Sequence, residues 1–102
     1  MGLSIAVYDN TEECIWEIKP RGEIDISNAH ILKTRLETAL AGKKQSITID
    51  LSELSYIDST GLGVIIGTYS SIKEDGLKVI VINPKNSVKK LIAISGLDKI
   101  LY

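Results

Sequence analysis

The chain has 102 residues, 44% of them hydrophobic, with 12 Lys plus Arg against 13 Asp plus Glu and a formal net charge of −1. That length is expected to form a single domain over residues 1–102, with ordinary globular composition and no repeat or low-complexity segment. The balanced charge argues against a nucleic-acid partner, whose affinity rests on clustered cations. The longest aliphatic runs, Val64-Ile65-Ile66 and Val79-Ile80-Val81-Ile82, are too short to cross a bilayer. Met1-Gly2-Leu3-Ser4 leads into an alternating pattern rather than a signal peptide, and the single Cys14 cannot form an internal disulfide, so a reducing cytoplasm is the expected compartment.

Leu3, Ile5 and Val7 alternate with Ser4, Ala6 and Tyr8 as a first strand, Asp9 to Glu13 form a polar turn, and Cys14 to Lys19 alternate again, so a hairpin is expected. Cys14, with no basic partner or second thiol beside it, reads as a core residue. Pro20-Arg21-Gly22-Glu23-Ile24-Asp25 is expected to end the strand and begin a turn. Ser27 or Asn28 can cap a helix whose stripe is Ala29, Leu32, Leu36 and Leu40, with Gly42 placed to stop it. His30 and Lys33 lie off that stripe and read as solvated. Ser46 to Leu51 is a strand, and Ser52 to Ser55 a short loop.

Beyond the loop the period changes. Leu62, Ile65, Ile66, Tyr69 and Ile72 share one face of a helix expected to run to Glu74, with Asp75-Gly76 as its exit. Asp58, Ser59 and Thr60 stand where such a helix needs side-chain oxygens for its first free N–H groups. Val79 to Ile82, apolar throughout, reads as an interior parallel strand buried on both faces. Asn83-Pro84 reads as a cap and first-turn pair for a third helix with Val88, Leu91, Ile92 and Ser95 inward, ended by Gly96, and Lys99 to Tyr102 as a last short strand. The expected fold class is therefore α/β: a small mixed, mostly parallel sheet with an N-terminal antiparallel hairpin and amphipathic helices mainly on one face. Ser46, Thr48 and Asp50 share a strand face that the helices leave partly open.

The chemistry left to this chain is narrow. A serine nucleophile needs a base and an orienting group, yet His30 is the one imidazole and no Gly-x-Ser-x-Gly elbow occurs. Asp58-Ser59-Thr60-Gly61 carries one residue more than the Asp-Thr-Gly of aspartic proteases and has no second copy. Metal ligands are not clustered, so neither catalysis nor a metal or other cofactor is expected. Gly61-Leu62-Gly63 before a helix could cradle an anion or simply permit close packing; both readings stay open. Thr60, Gly63, Gly67 and Ser70 gather on one side of the helix, which reads as packing against the neighbouring helix, with a partner groove as the alternative.

The run Asp58-Ser59-Thr60-Gly61-Leu62-Gly63-Val64, with Gly67-Thr68-Tyr69 behind it, resembles the signature of bacterial anti-sigma factor antagonists, the single-domain STAS proteins. Gly22-Glu23-Ile24-Asp25 is similar to the family's turn before its first helix, and Val88-Lys89-Lys90-Leu91-Ile92 with Ser95-Gly96-Leu97 to its last helix and turn. The resemblance implies a STAS fold and a partner switch. The unphosphorylated protein binds an anti-sigma factor that is also a serine kinase, so a sigma factor is freed; phosphorylation breaks the complex and a PP2C-type phosphatase restores it. By motif position Ser59 is the acceptor, with Thr60 the second choice. The implied partner surface comprises Gly22, Glu23, Asp25, Asp58, Ser59, Thr60, Gly61, Leu62 and Gly63, with the outer side of the central helix. The implied protein is a cytoplasmic monomer or weak dimer with no nucleic-acid or membrane partner. The alternative is a STAS module that binds a small ligand or nucleotide, or serves assembly, without a phosphorylation switch.

Overall fold

The sheet is assembled on its second strand. The computed structural model describes residues 2–95. Within them lie β1 (Leu3–Asn10), β2 (Ile15–Ile24), α1 (Ala29–Gly42), β3 (Ser46–Asp50), β4 (Leu54–Ile57), α2 (Ser59–Ile72), β5 (Val79–Ile82) and α3 (Asn86–Ser95). β1 runs antiparallel to β2 from Leu3 opposite Gly22 to Asn10 opposite Ile15. The opposite edge of β2 is divided: Ile15 to Ile18 pair with β3 and Gly22 to Ile24 with β4, both in parallel. β5 then pairs in parallel with β3, giving the order β1-β2-β3-β5 with β4 beside the far half of β2. The mixed, mostly parallel sheet and the N-terminal hairpin are as expected.

Several boundaries differ for identifiable reasons. β2 does not end at Lys19 but continues through Pro20 to Ile24. Pro20 lies between the segments paired with β3 and β4, where its missing N–H breaks no ladder bond. The register shifts between Gly22 and Glu23, and Gly22 has φ +112 there; a Cβ on it would lie 2.3 Å from the carbonyl oxygen of Gly2. Ser52 to Ser55 is not wholly loop, because Leu54 opens β4. Cys14 is exposed, not core: it occupies the hairpin turn with φ 57, its thiol 3.7 Å from the Thr11 carbonyl.

The buried strand residues share one face: Ile5, Ile18, Ile24, Ile47, Ile49, Leu54, Ile57, Val79 and Val81. Onto it pack Leu32 and Leu36 of α1, Leu62, Ile65 and Ile72 of α2, and Val88 and Ile92 of α3, in one continuous core. Ala39 rather than Leu40 completes the buried stripe of α1, and Leu40 packs at its margin. β5 is parallel, but it is not buried on both faces: Ile80 and Ile82 are 42% and 37% exposed on the open side of the sheet. β5 ends the strand order among the described residues instead of lying inside it.

The central helix stops two residues early. α2 gives way at Lys73 to a short 3-10 turn, closed by Gly76 at φ 75. α3 begins at Asn86 rather than at Pro84, since Asn83 takes φ 56 and turns the chain first. The expected inward side chain of Ser95, the Gly96 stop and the Lys99–Tyr102 strand lie outside what the structure describes.

Candidate functional site

Two strand-to-helix turns meet at one end of the sheet. In the first, Asp58 is the N-cap of α2, with extended backbone at φ −104. Its Oδ1 accepts the N–H groups of Thr60 at 2.9 Å and Gly61 at 3.2 Å, and the Thr60 hydroxyl at 2.5 Å. These are the helix's otherwise unpaired first donors, so the carboxylate also stabilises the positive end of the helix dipole. The Thr60 hydroxyl leads the causes that hold the Asp58 carboxyl below its ordinary value against desolvation, with the N–H groups of Gly61, Thr60 and Ile26 adding to it.

The second turn repeats the device. Asp25 Oδ1 accepts the Ser27 N–H at 2.9 Å and its hydroxyl at 2.5 Å. Those two bonds are the main reason its carboxyl titrates below the usual range, and the nearby charge of Asp58 works in the opposite sense. Asn28 stands at the N-cap position of α1 but makes no side-chain cap bond. Its amide is spent on the turn: Oδ1 accepts the Asp25 N–H and Nδ2 donates to the Glu23 carbonyl, both at 2.9 Å. Asn28 therefore does not supply the side-chain cap its position suggested, because both ends of its amide are committed to the turn.

The turns are joined by backbone as well as by Asp58. The Asp58 N–H donates to the Ile24 carbonyl at 3.2 Å, and the Ile26 N–H lies close enough to favour the charged form of the Asp58 carboxyl. Glu23 lies opposite Tyr56 in the β2–β4 register. Glu23, Asp25, Asp58, Ser59 and Thr60 are therefore brought together. Ser59, the first residue of α2, is exposed, and its hydroxyl has no hydrogen bond among the described residues.

Other expected surface residues are turned inward. Leu62 is buried in the core. Gly61 is buried because a Cβ there would lie 2.6 Å from Ile24 Cγ2 and 2.7 Å from Ile57 Cγ1, so its glycine serves close packing. Gly22 serves the bulge. Gly63 and Gly67 do not pack closely against α1: a Cβ on either meets nothing within 4 Å. They floor an open groove of about 460 Å³, bounded by Lys33, Glu37 and Leu40 of α1 and by Thr60, Val64 and Thr68 of α2. His30 and Lys33 are exposed, as expected. Among the described residues no cluster of His, Cys, Asp or Glu could hold a metal ion, and no helix is long and apolar enough to cross a membrane.

The model of the STAS domain family matches residues 6–101. This chain belongs to the STAS domain family. Over 101 residues it is 33% identical to the anti-sigma-B factor antagonist of Bacillus subtilis, a match that covers 99% of this chain and 90% of that protein. The fold is shared with the anti-sigma factor antagonist SpoIIAA in its unphosphorylated form, at a TM-score of 0.84 and 23% identity over 97% of this chain and 86% of that one. An anti-sigma factor antagonist from Mycobacterium paratuberculosis superposes at 0.82 with 27% identity, over 98% of this chain and 83% of that one. The STAS resemblance read from Asp58 to Val64 thus extends across the sheet and helices.

Proposed function

We propose that this STAS protein is an anti-sigma factor antagonist, a regulatory binding protein that holds an anti-sigma factor serine kinase and releases it when Ser59 is phosphorylated. The observation that carries this reading is the contrast between two adjacent hydroxyls. Thr60 Oγ1 is committed to Asp58 at 2.5 Å, whereas Ser59 is exposed and unbonded among the described residues. A kinase needs a hydroxyl it can align with the γ-phosphate, and Ser59 meets that need without breaking a cap. The 33% identity to an anti-sigma-B factor antagonist supports the assignment.

The switch follows from charge. Phosphate on Ser59 adds about −1.5 to −2 charges at a helix N-terminus, where the positive end of the dipole tolerates it. The fold is thus spared. The partner is not, because the kinase's own nucleotide phosphates face the acceptor and an added dianion meets both bulk and like charge there. A loss of ~3–4 kcal/mol would weaken binding several hundredfold. A PP2C-type phosphatase, reaching the exposed Ser59, would restore binding.

Capture from lysate of the native organism with wild type, Ser59→Ala and Ser59→Asp tests the reading. Wild type and Ser59→Ala are expected to retain an ATP-binding serine kinase that Ser59→Asp loses. Equal retention by all three would make Ser59 a helix-end residue only and favour a ligand-binding or assembly STAS module.

A further inference from the structure

Ile26 holds in its turn the place that Ser59 holds in the other. Each follows an aspartate whose Oδ1 accepts both the N–H and the hydroxyl of the next residue but one. Ser59 offers a hydroxyl to solvent. Ile26 offers a branched apolar side chain, 80% exposed and outside the core cluster.

The fold gives that side chain no packing partner in the core, yet the backbone is held on both sides of it. The Asp25 N–H before it is held by Asn28 Oδ1, and the Ser27 N–H after it by Asp25 Oδ1. A β-branched side chain on a fixed backbone has little conformational freedom to lose on binding, which is the property of an interface anchor. Beside it, Glu23 and Asp25 carry carboxylates that take part in none of the ion pairs among the described residues. Those pairs belong to Glu53, Asp9 and Asp75.

We infer that Ile26 is the apolar anchor by which this protein docks on its anti-sigma kinase, filling an apolar socket whose rim carries Arg or Lys opposite Glu23 and Asp25. The inference rests on the partner-switch reading of Ser59 and assigns the two turns separate tasks. The Asp25 turn supplies grip through Ile26, and the Asp58 turn supplies the chemical mark. The acidic rim steers the approach, and the anchor sets how long the complex lasts.

The test uses the purified kinase that wild type retains, with surface-plasmon measurement of association and dissociation. Ile26→Ala is expected to bind about 30-fold more weakly, through faster dissociation and an association rate close to wild type. Ile26→Val should remain within about threefold of wild type, and Ile31→Ala, an exposed isoleucine on α1, should be unaffected. Raised ionic strength should slow association of wild type and Ile26→Ala alike. Melting temperatures should not change. If Ile26→Ala binds like wild type while Ser59→Asp still loses the kinase, the anchor is wrong and the switch stands. If association is insensitive to salt, the basic rim is wrong. If wild type retains no kinase, or Ser59→Asp binds it as tightly, the switch reading fails and the anchor falls with it.

Discussion

Asp25-Ile26-Ser27-Asn28 and Asp58-Ser59-Thr60-Gly61 fold into nearly the same hydrogen-bonded turn, and they differ at the fourth residue. Gly61 is already inside α2 and donates its N–H to Asp58, so this aspartate caps its helix directly. Asn28 lies just outside α1, where its amide ties Asp25 back to Glu23, and the helix begins only afterwards. Both aspartates thus stand at a helix start, their carbonyls accepting the N–H groups of Ala29 at 2.8 Å and Leu62 at 3.0 Å. The Asp58 carboxylate also takes the N–H of the fourth residue, whereas the fourth residue of the first turn spends its side chain on Asp25 and Glu23. The exposed residue behind a helix cap can take a charge with little effect on the fold, because the helix end is an anion-tolerant position. The corresponding exposed residue of the first turn, Ile26, carries an apolar side chain instead.

Substitutions at the fourth residues should separate the two turns most sharply. Gly61→Val places side-chain atoms against Ile24 and Ile57, and should cost about 3 kcal/mol in urea unfolding. Asn28→Ala leaves a buried turn with unpaired donor and acceptor groups, and should cost about 1–2 kcal/mol by the same measurement. A tolerated Gly61→Val would show that α2 can lift from the β2–β4 end without penalty, and the cap would not be the rigid element described.

The aspartates come next. Asp58→Ala should cost roughly 1 kcal/mol for the lost cap. Asp25→Ala should affect stability less, and amide hydrogen exchange should show the difference: protection at Thr60 and Gly61 falls with Asp58→Ala and persists with Asp25→Ala. Protection lost equally in both variants would merge the turns into one unit.

Acid should produce the smallest effect. Both carboxyls titrate below their ordinary value in the folded protein. Their contribution is therefore complete above the unfolded carboxylate value of about 4 and is lost as pH falls through the lower folded values. Urea midpoints should thus hold down to about pH 4 and decline below it, and the Asp58→Asn decline should be shallower. An unchanged slope in that variant would remove Asp58 from the linkage.

The parts of this molecule that could be read in sequence are those set by a long local period. The Leu62–Ile72 stripe repeats over three turns, and Asp58 stands where a cap belongs, so α2 and its N-terminus were legible. Leu54–Ile57 was not: four residues between polar neighbours become a strand only because Gly22 to Ile24 lie alongside. β5 misled in the opposite way. Four apolar residues suggest burial on both faces, but the helices cover only one face of the sheet, and Ile80 and Ile82 stay exposed. Cys14 continued an alternating pattern, while the hairpin needed a left-handed residue at that point. For the site, the motif pointed to Asp58, Ser59 and Thr60, but which hydroxyl is free is decided by a bond only geometry displays. The outward side chain of Ile26 was likewise silent, since an isoleucine before a helix reads equally well as core.

The most direct test is the affinity of the purified kinase for the wild-type protein before and after stoichiometric phosphorylation at Ser59, with melting temperatures of both forms measured alongside. Phosphorylation should weaken binding several hundredfold and leave the melting temperature nearly unchanged. Unchanged affinity together with a large fall in melting temperature would contradict the account, because the phosphate would then be acting on the fold rather than on the partner.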